Sequence, residues 1–138
     1  MTRKRALAEL IAKVEAGAWQ HTDWPTVEKG FWGNWNEAAL HFQSAYSGSL
    51  DAAKALHIAT LPGWGWRIGS CHLSDDASVF PDFNCPTHGE RLRATVPELI
   101  NGQEWADYTD IDLRPAGNVA RALLLSDLRA LHAMEAAE

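Results

Sequence analysis

Two cysteines and two histidines fall within the run from Cys71 to His88, as Cys71-His72 and Cys85-Pro86-Thr87-His88. Zinc takes four nitrogen or sulfur ligands tetrahedrally, often in pairs two to four residues apart. The Cys85/His88 spacing fits that pattern. Cys71 and His72 are adjacent, and neighbours on a strand point to opposite faces. The set Cys71, His72, Cys85 and His88 therefore makes a zinc-stabilised structural module only if a turn separates the first pair. The plainer reading is a buried Cys71, a turn at Cys85-Pro86 and no cofactor. A nucleophile and base from Cys85 and His88 would lack a third group to orient the base. Asp75-Asp76 has the composition of a turn as much as of a divalent-metal site. No phosphate-cradling glycine loop, H-E-x-x-H or G-x-S-x-G sequence occurs. The expectation is a protein that is not an enzyme.

The acidic residues are unevenly spread. Asp75, Asp76, Asp82 and Glu90 lie between Ile68 and Glu90, and Glu98, Glu104, Asp107, Asp110 and Asp112 between Ala94 and Leu113, with no Lys or Arg in either segment. Formal net charge is -6. Direct nucleic-acid binding, which calls for a basic patch, is disfavoured. The bland reading of these segments is a solvated face that aids solubility. The functional one is a surface that docks on a basic partner, including one that itself binds nucleic acid. Its candidate residues are Asp75, Asp76, Asp107, Asp110 and Asp112.

Seven tryptophans are many for a core of this size. Most must fill the interior, with one or two left at least partly exposed, and the Trp24–Trp35 stretch is where exposure is expected. Trp32 and Trp35 are the candidate anchors for a partner. A second possibility is a small-ligand site in which a nucleotide stacks on Trp64 or Trp66 beside Arg67.

These side chains need a frame. The chain has 138 residues, 46% apolar and 22% charged, which suits one globular domain spanning residues 1–138. No apolar run is long enough to span a bilayer. The basic start, Met1 to Arg5, is followed by no apolar signal region. A cytoplasmic protein without membrane contact is expected, and reduced thiols with it.

Leu7, Leu10, Ile11 and Val14 form one stripe of a helix over 3–16, with Thr2 as its cap, Gly17 as its stop and Glu9–Lys13 as a surface pair. Residues 18–35 show no period and read as a long Trp-rich loop. Helices follow over 37–46 and 50–60, the second capped by Ser49 and ended by Pro62-Gly63. His57 lies beside the apolar stripe of that helix with no partner evident nearby. Trp64 to Cys71 and Ala77 to Phe83 read as a hairpin around Ser74-Asp75-Asp76. Arg91 to Val96 alternates like a strand, and Ile111 and Leu113 suggest a short last one. Pro115 opens the longest helix, to Met134, with a stripe broad enough for Val119, Leu123 and Leu125 to suggest a homodimer; a monomer is the alternative. The sum is an α+β fold: a small antiparallel sheet of three to four strands packed by three to four helices.

The stretch SGSLDAAKALHIATLPGWGWRIG (Ser47 to Gly69), followed by SDD, PDFNCPTHGERL and a closing Ala/Leu-rich helix, resembles small proteins of alphaproteobacterial phages and prophages related to the phage ABA-sandwich domain. The resemblance implies a sheet between helical layers and a phage accessory role. It carries no catalytic residues. Together with the acidic segments and surplus tryptophan, it makes the leading expectation a non-enzymatic accessory protein. Such a protein binds and inhibits or redirects a host protein, or a host protein–nucleic acid complex. An anti-defence factor such as a CRISPR inhibitor is one concrete form.

Overall fold

The first helix, α1 (Arg3–Ala16), forms where the stripe predicts, with Ala6, Leu7, Leu10 and Val14 buried. The Thr2 hydroxyl accepts from the Arg5 amide at 3.2 Å. Gly17 turns out of the helix at φ 67°, a left-handed conformation that favours glycine. The Lys13 ammonium reaches Asp23 at 2.5 Å, and the charge of Glu9 is a weaker second partner. The computed structural model describes residues 1–32 and 36–135.

Within the segment expected as an irregular loop over 18–35, residues 21–30 are helical. A 3-10 turn over His21–Asp23 runs into α2 (Trp24–Gly30). Seven residues are too few to display a period, and Pro25 is suited to a first helical turn. Val27 and Gly30 face inward, and a Cβ on Gly30 would lie 3.2 Å from Leu10 Cδ1, so its small size allows α2 to approach α1 closely.

Next come α3 (Asn36–Tyr46) and α4 (Leu50–Thr60), which pack on each other across Ser47–Ser49. The Ser49 hydroxyl caps α4, accepting from the Ala52 amide at 3.1 Å. Three antiparallel strands follow in the order β1 (Trp64–Ser70), β2 (Asp75–Pro81), β3 (Ile111–Leu113). Between the second and third lie two short helices, α5 (Gly89–Thr95) and α6 (Trp105–Tyr108).

The expected strand over 91–96 is therefore wrong: it is α5 and the residue after it. Leu92 and Val96, both buried, satisfy the four-residue spacing of a helix as well as the alternation of a strand. The position that separates the two readings is Ala94, which is exposed.

The last helix, α7 (Val119–Met134), starts later than Pro115 because Asn118 is its cap: the Asn118 side-chain oxygen accepts from the Arg121 amide at 2.9 Å. It is the centre of the molecule. The sheet packs on one side of it, and α1, α3 and α4 on the others. Leu123, Leu124, Leu125, Leu128 and Leu131 are all buried within one chain. The broad stripe is thus consumed by the monomer's own core, and the structural case for a dimer through Leu123 and Leu125 falls; Val119 is half-buried. A helix apolar nearly all round belongs inside.

The long helices reach the sheet chiefly through α7, against the face carrying Ala77, Val79, Ile111 and Leu113. On the opposite face Arg67, Asp76 and Asp112 are exposed. The fold is a mixed α+β domain with one three-stranded antiparallel sheet.

Candidate functional site

Four of the five acidic candidates meet on one surface. Asp76 (β2) stands directly opposite Asp112 (β3) in the ladder. Asp107 comes from α6 and Asp110 from the link between α6 and β3. All four are exposed. They lie close enough to feel one another. Desolvation first, then the charges of Asp76, Asp112 and Asp107, hold the Asp110 carboxyl above the usual carboxylate range. Like charges directly opposite in a sheet destabilise it. Relief is partial: Arg114 reaches Asp112 at 3.3 Å, and Arg129 sits near Asp110 but also pairs with Glu15 at 3.6 Å. A polar groove of about 400 Å³ runs beside Asp110 and Asp112, lined also by Glu15, Arg114 and Arg129.

Asp75, the fifth candidate, is not part of this surface. It is buried and points the other way, toward the start of α7. Its Oδ2 accepts from the Gly117 and Asn118 amides at 2.8 and 2.6 Å, and its Oδ1 from the Ser70 hydroxyl. Alternation along β2 sends neighbouring Asp75 and Asp76 to opposite faces. Burial opposes ionisation of Asp75. The Ser70 hydroxyl, the two amides and nearby Arg121 outweigh that and hold the carboxyl below its ordinary value. Asp75 is an anchor of α7, not a docking residue.

Trp32 is 71% exposed and Leu40 73%. They border an apolar groove of about 270 Å³ together with Trp24, Glu28, Phe31 and Ala39. Beneath it, Trp19 packs on Phe42 and Phe42 on Phe31, with ring centroids 5.2 and 6.0 Å apart. Trp35 lies outside the described residues.

The proposed stacking set divides. Trp64 and Trp66 share the inward face of β1, and Arg67 is on the other. Trp64 is buried against Trp105 at 5.0 Å, and Trp66 packs edge-on to His57 at 4.9 Å. Neither offers a base a platform beside Arg67.

The four zinc candidates are also kept apart. Cys71 follows β1 at the hairpin turn, whereas Cys85 lies beyond the far end of β2. A seven-residue strand is about 23 Å long, so the two cysteines cannot share an ion. No cluster of three or more His, Cys, Asp or Glu suited to a metal occurs among the described residues. Cys71 is exposed rather than buried. The Leu73 and Ser74 amide groups and the Ser74 hydroxyl hold its thiol below the usual value.

One polar arrangement escaped the sequence. His57 (α4) places Nδ1 2.6 Å from Asp127 Oδ1 (α7) and Nε2 2.9 Å from the Trp64 carbonyl (β1). Both side chains are fully buried. The signal was present as Ser126-Asp127, a polar pair amid the leucines of α7, but the partner is seventy positions away. With Nε2 engaged by backbone, His57 is positioned to tie three elements together rather than to act on a substrate.

Comparison with known proteins gives no family model, no curated protein and no solved structure that matches this chain.

Proposed function

We propose that this chain is a binding protein with no catalytic chemistry of its own, and that its acidic face docks on a basic surface of a host protein or protein–nucleic acid complex. The observation that carries this is the Asp76–Asp112 opposition, crowded further by Asp107 and Asp110. Such a grouping costs folding energy and gains it back only against positive charge. Exposed Trp32 and Leu40 supply an apolar anchor of the kind that dominates interface energetics. The resemblance of the Ser47–Gly69 block to phage accessory proteins supports a setting in the host cytoplasm. An anti-defence role fits the same chemistry, because guide-dependent nucleases hold nucleic acid in a positively charged channel that an acidic face can occupy.

Affinity capture from a host lysate, read by mass spectrometry at low and moderate salt, tests this. The expected result is one stoichiometric partner that the wild type retains at low salt and the Asp76→Asn/Asp110→Asn/Asp112→Asn triple variant does not. Equal capture by both proteins at low salt would discard the acidic-face reading.

A further inference from the structure

A second site lies on the exposed face of β1. A cleft of about 280 Å³ opens there, bordered by Arg67 and Phe80 of the sheet and by Glu98, Leu99, Glu104 and Trp105 of the segment before β3. It shares no residue with the acidic face.

The cleft follows from local sequence. On this face of β1, Arg67 is flanked by Gly65 and Gly69, which have no side chains. Phe80 fills the space over Gly65, where a Cβ would lie 2.5 Å from its ring. A cross-strand aromatic over a glycine is a stabilising arrangement. The Arg67 guanidinium then sits 5.0 Å from the Phe80 ring centre. Contact with the ring does not consume the guanidinium N–H groups, which can still grip a carboxylate. The opposite wall is tied down: Trp105 Nε1 donates to the Pro97 carbonyl at 2.9 Å, and Ile100 and Gln103 pair across a turn.

Arg67 forms no ion pair with Glu98 or Glu104 among the described residues. One cation and two carboxylates thus border a single cleft without neutralising each other directly, over an aromatic floor. Two carboxylates beside one arginine repel a phosphate chain, which argues against a nucleotide. They suit a molecule that is negative at one end and positive at the other. The volume is near the lower limit of small-molecule pockets, about 300 Å³.

We propose that this cleft binds a free α-amino acid with an apolar side chain. Arg67 takes the carboxylate, Glu98 and Glu104 the ammonium, and Phe80 and Leu99 the side chain.

The test is NMR titration of the full chain with L-leucine and L-phenylalanine up to about 10 mM, about tenfold above a Kd of 1 mM. Two blocked forms serve as probes: the N-acetyl derivative, anionic only, and the amide, cationic only. The expected result is shifts at the Trp105 indole and Arg67 side chain with the free amino acid. Affinity should fall about tenfold or more for each blocked form, for Arg67→Met and for Glu98→Gln/Glu104→Gln. Arg67 is exposed, and unchanged signal dispersion will show that its variant is folded. No shifts at the highest concentration would overturn the proposal. So would an amide that binds as well as the free amino acid and ignores Arg67→Met, since that describes a plain cation site.

Discussion

His57 Nδ1 lies 2.6 Å from Asp127 Oδ1, and both side chains are fully buried. The other ring nitrogen faces the Trp64 carbonyl, which can only accept. An imidazolium satisfies both contacts. Removing one partner strands the other without water. His57→Ala or Asp127→Ala is therefore expected to cost about 3–5 kcal/mol. A His57→Leu/Asp127→Leu double variant should cost far less than the sum of its singles, because no buried charge is left over. Urea unfolding of the four proteins measures this, and strictly additive costs would show that the pair is not coupled.

The same pair makes stability depend on pH from the alkaline side. Burial by itself lowers the imidazole's affinity for a proton. The Asp127 charge and the hydrogen bonds to Asp127 and Trp64 outweigh it and raise the pKa of His57 in the folded state. Its contribution is full below the unfolded value of about 6.5 and is lost as pH rises through the raised folded value. Asp75 acts from the acid side. Its folded pKa is lowered, so its contribution is present above about 3.9 and fades as pH falls through the folded value. Thermal melts from pH 3 to 9 should give maximal stability between these limits. The alkaline slope should shrink in His57→Leu/Asp127→Leu, and the acid slope in Asp75→Asn.

Asp75→Ala should cost about 2–3 kcal/mol, since it strips two amides at the start of α7 of a charged acceptor. Asp76→Asn, one residue along, should do the opposite. Relieving the Asp112 repulsion is expected to stabilise by a few tenths of a kcal/mol. Chemical denaturation of the two variants should show opposite signs, and a shared sign would mean that the two acids do not divide between anchor and surface.

Glycine substitutions should separate backbone strain from crowding. Gly63 has φ 87°, and a Cβ there would lie 2.5 Å from His88 Cβ, so Gly63→Ala combines both faults. Gly102 has φ 76° with nothing within 4 Å, so Gly102→Ala meets strain alone. The expected costs are above 2 kcal/mol and about 1 kcal/mol respectively. Equal melting shifts for the two would contradict the close packing of the Gly63 turn on the loop before α5.

Solvent access should also order the thiols. Cys71 is exposed and its thiolate is favoured by Leu73 and Ser74, whereas Cys85 is half-buried. Iodoacetamide followed by peptide mapping should label Cys71 first; faster labelling of Cys85 would contradict these environments.

Local order was written in the sequence. The stripe Leu7-Leu10-Ile11-Val14, its Thr2 cap and its Gly17 stop define α1 without help from the rest of the chain, and Ser49 does the same for α4. The hairpin was legible from the alternation of β1, but its turn falls at residues 71–74 rather than at Ser74-Asp75-Asp76, and β2 starts at Asp75, two residues earlier than expected. Segments of six or seven residues were not. Over 91–96 helix and strand place Leu92 and Val96 equally well, and only packing chose helix. Which residues meet across the chain also lay beyond sequence. Nothing local joins His57 to Asp127, selects Asp75 rather than Asp76 for the inward face, or brings Arg67, Glu98 and Glu104 to the border of one cleft. Those pairings follow from how α7 and the sheet stack, and contacts between distant segments are decided by the whole core rather than by any one stretch. The sequence specified which side chains were available and where chain direction changes; the tertiary structure decided which of them meet.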